Sequence, residues 1–520
     1  MDNLIFGGTS GVLVLGFYAV LMLVIGYVAG RRQPSARNTA KGYYIAGGGL
    51  GFVALFFTLY ATQYSGNSVV GYAPTAYRTG FPWWQSVGFM TAVIVGYLLF
   101  APRLYVIAKR EGFITPTDWV RHRFGSTPVS VMVVILMLWG LANYLLEQLV
   151  AMGHAISGLT GNTVPYQLGV IAFVLVMLIY SWLGGMRAVA LTDVMQGIAL
   201  LIGVSVLLGG ALYLAGGNLG DIVGNVLAEE PEKVAVPPAE VSVNWVAMML
   251  LIGFGSSVYP HAIQRIYAAR SERTLKRSFA IMAWMPFVTT GVVFLVGIIG
   301  TQLYPGLSEG ESEQLVGLIA NSVAAIGPFF YAVMVLMFGG IVAAIVSTAD
   351  SALLAFSSIF SRDLYGRFLQ KSPSEKRQLL VGKAAGVVII GLLLLIAWNP
   401  PGTLYAIFVL KFELLVQISP AFVLGIYWRR LASGPLFWGM FVGAAFAGTC
   451  TVLDLDQPFG IPFGLIGLAV NVVICVLGSL LLGGRSVGSA GSSGGSGSSG
   501  SGGSGGELGE GESGRVSFSG

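Results

Sequence analysis

Eight residues, Ala344-Ile345-Val346-Ser347-Thr348-Ala349-Asp350-Ser351, place three hydroxyls and a carboxylate inside an apolar run from about Pro328 to Phe360. A run of that length predicts a helix buried in lipid or protein. Ser347, Asp350 and Ser351 are spaced i, i+3, i+4 and share one helical face. Thr348 sits beside that face, one turn beyond Ala344. A carboxylate at such a depth needs a partner, water or a cation. Hard cations such as Na⁺ take oxygen ligands, and this face offers them from hydroxyl, carboxylate and backbone groups. Alternatively, the hydroxyls bond back to carbonyls one turn earlier and serve helix packing. Asp350 on the same turn favours an ion or polar pathway.

The elements that must position this face are themselves apolar. The chain has 520 residues, 55% hydrophobic and 10% charged, with a mean hydropathy of +0.79. Soluble domains carry roughly 25% charged residues, so the composition describes a polytopic membrane protein whose partner is the lipid bilayer. The net charge of +5 does not indicate nucleic acid, because the basic residues fall in short loops between apolar runs. Cys450 and Cys475 lie in separate late segments. With His122, His154 and His261 as the only histidines, no zinc or haem centre, disulfide framework or other cofactor is expected.

Runs of about 20 residues, enough to cross a bilayer, predict thirteen helices. Their limits are 9–30, 48–77, 82–106, 127–156, 166–184, 188–216, 242–267, 277–303, 326–362, 380–398, 403–428, 435–453 and 461–483. The first ends in Arg31-Arg32 without a basic leader or cleavage site, and reads as a retained helix. Basic residues follow every odd-numbered span, Arg187 marking the loop after the fifth. Even-numbered loops are nearly free of them, and two are acidic (Glu229, Glu230, Glu232, Glu240; Glu309, Glu311, Glu313). That alternation predicts an outside N-terminus and a cytoplasmic C-terminus. From Ser486 the chain is Gly/Ser-rich and reads as a disordered tail or linker.

Two spans carry polar, Gly- and Pro-containing centres. The second reads Leu59-Tyr60-Ala61-Thr62-Gln63-Tyr64-Ser65-Gly66-Asn67-Ser68 and the seventh Gly253-Phe254-Gly255-Ser256-Ser257-Val258-Tyr259-Pro260-His261. Such centres mark either a kink or a discontinuous helix, which frees backbone groups at mid-membrane depth. The second span opens one set of five helices and the seventh opens the next. Five is odd, so the two sets run oppositely through the membrane, as in an inverted repeat.

With these features the chain resembles the sodium:solute symporter family, the group of bacterial proline and pantothenate carriers and sodium–glucose cotransporters. The matching residues are 344–351 with Ser357-Ser358 and Arg362-Asp363-Leu364-Tyr365; Gly184-Gly185-Met186-Arg187-Ala188-Val189 with Thr192-Asp193-Val194-Met195-Gln196; Pro260-His261-Ala262-Ile263-Gln264-Arg265 with Ala268-Ala269; and Tyr43-Tyr44-Ile45-Ala46-Gly47-Gly48. The resemblance covers roughly 9–483. It implies an all-α membrane protein with a LeuT-like five-plus-five core and two discontinuous helices. Its parts would be a leading helix and first loop (1–47), a first repeat (48–216), an acidic loop (217–241), a second repeat (242–428), two trailing helices (429–485) and the tail (486–520). It further implies a sodium site at the carbonyls of Ala61, Tyr64 and Ala344 and the hydroxyls of Ser347 and Thr348. A second ion would fall at Asp193, Ser347, Asp350 and Ser351; Asp193 reads equally as a charge capping the sixth helix. Where the proline-carrier branch has an aspartate, this chain has Gln63, which removes a charge next to the ion.

Glu147 and His154 lie in the fourth span, and Lys411 and Glu413 in the eleventh. Lys411 and Glu413 are two residues apart, point to different faces and so each seek a partner on another helix. They are either structural ion pairs or snorkelling groups, or Lys411 faces a central cavity and receives a substrate carboxylate. Further cavity candidates are Gln63, Ser65, Asn67 and Ser68, Trp84 and Gln85, and Ser256 and Ser257. No catalytic triad, nucleotide loop or filter motif is present, so no enzyme or channel is expected. The expected function is Na⁺-coupled import of a small polar solute carrying a carboxylate (an amino acid, monocarboxylate or pantothenate-like solute) across the cell (inner) membrane, without an obligatory protein partner. Sodium-coupled carriage of an uncharged sugar, or a transporter-like sensor module, are the alternatives.

Overall fold

A segment leaving water must satisfy its own amides and carbonyls, and a helix does so within one stretch of chain. The computed structural model describes residues 8–31, 39–64, 66–370, 373–400, 404–453 and 455–482. Among them the regular structure is helical, with one isolated bridge between Leu50 and Ala269. The tail expected from 486 and the candidate Ser65 lie outside the described residues.

The principal helices are α1 (Gly8–Arg31), α2 (Phe52–Gln63), α3 (Gly66–Val70), α4 (Tyr72–Thr79), α5 (Gln85–Glu111), α6 (Thr127–Leu159), α7 (Tyr166–Leu214), α8 (Ala239–Ser257), α9 (Pro260–Ala268), α10 (Glu272–Met282), α11 (Gly291–Leu303), α12 (Leu315–Ala324), α13 (Pro328–Ile359), α14 (Glu375–Ala397), α15 (Leu404–Leu415), α16 (Ser419–Tyr427), α17 (Ser433–Val452) and α18 (Phe463–Leu481). Ten helices among the described residues are long and apolar enough to cross a membrane. The first, second and fifth of the thirteen expected crossings fall on shorter apolar stretches, 11–21, 52–63 and 166–179. A fourth short stretch, α12, was not expected from the sequence. It is an apolar decamer that ends just before Gly327-Pro328.

One boundary differs from expectation. The loop expected around Arg187 is helical, and α7 runs unbroken for 49 residues. At 1.5 Å per residue it would span about 74 Å, more than twice the ~30 Å hydrocarbon layer, so it is not one straight crossing. Gly184 and Gly185 weaken a helix but keep their amide donors. No proline interrupts the segment, so the hydrogen-bond ladder continues through the basic residue.

Both expected breaks are present. α2 ends at Gln63; Tyr64 (φ −108°, ψ 82°) leaves helical space, and the chain resumes as α3 and then α4. α8 ends at Ser257, and Tyr259 (φ −54°, ψ 126°) is extended before Pro260 opens α9. Proline disfavours helical geometry in the residue before it, which places this break. The two broken spans are joined at one end, where Leu50 N–H donates to Ala268 O at 2.9 Å and Arg270 N–H to Leu50 O at 2.9 Å. Near the other end Arg78, in the last turn of α4, pairs with Glu313 at 2.9 Å and donates to Ser312 at 2.7 Å.

Close backbone approach holds these pieces together. Gly297 on α11 faces Ala73 on α4, and a Cβ there would stand 2.4 Å from the Ala73 carbonyl oxygen. Gly96 on α5 likewise meets the Gly253 carbonyl of α8 at 2.6 Å from a built Cβ. Small residues of this kind let helices pack closely where water supplies no driving force.

Gly297→Ala should therefore lower the apparent Tm of the detergent-solubilised protein, at a cost of about 1–3 kcal/mol. Gly391→Ala, on α14 where a Cβ meets nothing within 4 Å, should leave Tm equal or higher. Equal thermal stability of the two variants would contradict this packing.

Candidate functional site

A helix that stops in mid-molecule leaves its last carbonyls without intrahelical donors. At the end of α2 those carbonyls are taken by hydroxyls from other segments. Thr348 Oγ1 on α13 donates to Ala61 O at 3.0 Å, and Tyr144 Oη on α6 donates to Thr62 O at 3.0 Å. Ser68 Oγ reaches Gln63 O at 3.4 Å. Thus Thr348 and Ala61, which lie 287 positions apart, are in direct contact. Ala344, Ser347 and Tyr64 are buried close by in sequence, and Tyr64 is the residue at the break itself.

Ser347, the residue before Thr348, links this contact to a buried carboxylate. Its hydroxyl donates to Asp193 on α7, and Thr58 of α2 donates to the other carboxylate oxygen. Arg265 of α9 stands 3.7 Å from that carboxylate. It also donates to Thr58 Oγ1 at 2.9 Å, Ser351 Oγ at 2.6 Å and His261 O at 3.2 Å. Asp193 therefore sits within a continuous helix and caps nothing, which removes the capping alternative. Asp350 is buried with Oδ1 lacking any hydrogen-bond partner.

Arg265 belongs to the Pro260–Arg265 motif, whose resemblance assigns it no role. A guanidinium inside an apolar span was the available signal. Its carboxylate partner lies 72 positions away, beyond any local spacing rule.

The oxygens gathered here suit a small hard cation. Carbonyl and hydroxyl oxygens meet at Ala61 and Thr348, with carboxylates behind them. When ionised, Asp193 and Asp350 outnumber the single guanidinium, so one monovalent cation would balance the group. The unpartnered Asp350 oxygen is where the set is incomplete.

A second constellation lies on the other side of Tyr144. Gln63 and Ser68 from the first break and Ser256 and Tyr259 from the second line a chamber of about 20 Å³, closed by Tyr144 and Glu147 of α6. That is room for about one water. Gln63 Nε2 donates to Met90 O at 2.8 Å while its Oε1 is unpartnered. Lys411 is fully buried and ion-paired with Glu147. Its Nζ lies 4.3 Å from the Phe408 ring centre and 4.4 Å from that of Tyr144.

Other candidates lie elsewhere. Glu413 accepts the Gly464 backbone N–H and, with Gln85, borders a larger cavity of about 910 Å³ near Arg78 and Glu232. Trp84 is 42% exposed and packs edge-on against Phe294, outside the small chamber. Ser257 donates to Phe254 O at 2.9 Å, completing its own turn. Asn67 lies on α3.

The profile of the Sodium:solute symporter family matches residues 43–443. The sodium/pantothenate symporter of Escherichia coli K12 is 26% identical over 456 residues, covering 85% of this chain and 91% of that protein. The osmoregulated proline transporter of Bacillus subtilis 168 is 25% identical over 477 residues, covering 90% and 94%. A solved structure of a Na⁺-coupled sialic acid symporter, substrate-bound and outward-open, superposes with a TM-score of 0.75 at 19% identity, covering 92% of this chain and 98% of that one. A nucleobase-cation-symport-1 family transporter follows at 0.53 and 15%, covering 84% and 95%. At these identities the two structures establish the fold.

The buried Arg265 contacts generate a stability test. Arg265→Gln should cost about 3–5 kcal/mol, because it leaves buried carboxylates without their counter-charge. Adding Asp193→Asn should recover part of that loss, with a coupling of about 0.5–3 kcal/mol in a double-mutant cycle read by thermal unfolding. Strictly additive losses would show that the two side chains do not interact.

Proposed function

The chain belongs to the sodium:solute symporter family, and from that premise we propose that it imports a small polar solute, carrying a carboxylate, down the Na⁺ gradient. The family makes it a multi-pass membrane transporter, not an enzyme, with Na⁺ as the coupling ion. The proposal adds the finer detail. The sodium site is Ala61, Tyr64 and Ala344 by their carbonyls and Ser347 and Thr348 by their hydroxyls. A second ion is held by Asp193, Asp350 and Ser351. The solute binds between the two helix breaks, against Gln63, Ser68 and Ser256. Thirteen crossings, with a five-plus-five inverted repeat, place the N-terminus outside and the C-terminus in the cytoplasm.

The observation that carries this reading is the contact between Thr348 and the Ala61 carbonyl at the end of α2. A hydroxyl oxygen and a freed carbonyl meet where a helix is interrupted. An ion entering there would replace a neutral hydrogen bond and pull α2 and α13 together. Gln63 and Thr62, on the next positions of the chain, face the chamber. Ordering the break by Na⁺ therefore also orders part of the solute site. Each ligand stabilises the same arrangement, so each must raise the affinity of the other by the same factor. Relatives named for proline and pantothenate support a carboxylated solute over a sugar.

Thr348→Ala and Ser347→Ala, in proteoliposomes with an inward Na⁺ gradient, should raise the Na⁺ concentration for half-maximal uptake about tenfold or more. That corresponds to about 1.4 kcal/mol per lost ligand. Wild-type Na⁺ dependence in both variants would refute the assignment.

A further inference from the structure

The pair Glu147–Lys411 differs from the other charges in where it sits. Glu147 lines the small chamber, and so do Tyr144, Tyr259 and Phe408. Three of the rings around the Lys411 ammonium are these same residues, at 4.4, 5.7 and 4.3 Å from their centres. The pair joins α6 to α15, and both groups are out of contact with solvent. The chamber wall thus holds a carboxylate, and an aromatic enclosure already filled by the chain's own cation.

Each kind of solute would meet this pair differently. A monoanion that took Lys411 would remove the cation paired with Glu147, and a cation that took Glu147 would remove the anion paired with Lys411. An uncharged solute would find both groups engaged with each other. A solute with both signs a few ångströms apart can replace each partner for the other. Resting on the symporter reading above, we propose that Glu147 and Lys411 are the substrate's charge receptors, a closed ion pair that opens to accept a small zwitterion. The solute carboxylate takes Lys411. Its amine or quaternary ammonium takes Glu147 and lies against the rings of Tyr144, Tyr259 and Phe408. The exchange is neutral overall, so no proton need accompany the solute and Na⁺ alone carries the transported charge. The chamber of about 20 Å³ admits the solute only as the pair separates.

The test is a thermal-shift and competition-binding panel on the full-length protein, with NaCl or KCl. The probes are L-alanine, L-proline and glycine betaine as zwitterions, propionate and pyruvate as monoanions, choline as a cation and glucose as a neutral solute. A Na⁺-dependent shift with at least one zwitterion, at affinity tenfold or more above every other class, is expected. In Glu147→Gln the freed Lys411 should turn the preference toward propionate over L-alanine by tenfold or more. The double variant Glu147→Gln, Lys411→Met keeps a neutral, filled core and should fold while binding neither. Wild-type protein that responds best to a monoanion or glucose, or to no zwitterion while still responding to Na⁺, overturns the proposal. So does a folded Glu147→Gln variant with an unchanged order of ligands. Zwitterion binding that ignores Na⁺ leaves this proposal standing and overturns the sodium-coupling reading instead.

Discussion

Charge carried into a low-dielectric interior has to meet its opposite there, and the centre of this protein is arranged around two such meetings. At one, Asp193 of α7 faces Arg265 of α9, with hydroxyls from α2 and α13 completing the set. At the other, Glu147 of α6 faces Lys411 of α15. Six helices are thereby held in register by interactions that water would weaken and the interior does not. Neither pair can be separated without a substitute, which makes each a natural place for a ligand to act.

The two helix breaks supply what the charges do not. An uninterrupted helix offers lipid-depth ligands nothing from its backbone. Ending α2 at Gln63 releases successive carbonyls, and side chains from distant spans take them up one by one. Tyr144 is the residue common to both sites. Its hydroxyl holds Thr62 O, its ring lies against Lys411, and it stacks on His261 at 4.9 Å and on Tyr259 at 5.1 Å. Tyr144 thus touches both the α2 terminus and the charged pair.

Some of this arrangement is legible in the sequence, and the division follows from range. The breaks at Tyr64 and Tyr259 are local events, written by Gly, Pro and polar residues within a few positions of one another. The face of Ser347, Asp350 and Ser351 is equally local. Partners across the bundle are not local. Nothing near Lys411 names Glu147, 264 positions earlier, and nothing near Asp193 names Thr58 or Arg265. Gln85 borders the larger cavity and Trp84 is partly exposed beside Phe294, placements that only packing decides. Arg187 reads as a loop by charge, yet the helix of α7 passes through it, because a charge does not break a helix that keeps its amide donors.

The bridge at Leu50 has a mechanical meaning. It staples the segment entering α2 to the segment leaving α9 through two backbone hydrogen bonds. These half-helices carry Thr58 and Arg265 of the buried charge cluster, and with the staple intact they form a yoke. Either they swing in concert, or the yoke must first be unfastened by giving up both bonds. Arg265 and Thr58, one on each arm, tighten the same yoke within about two turns of it.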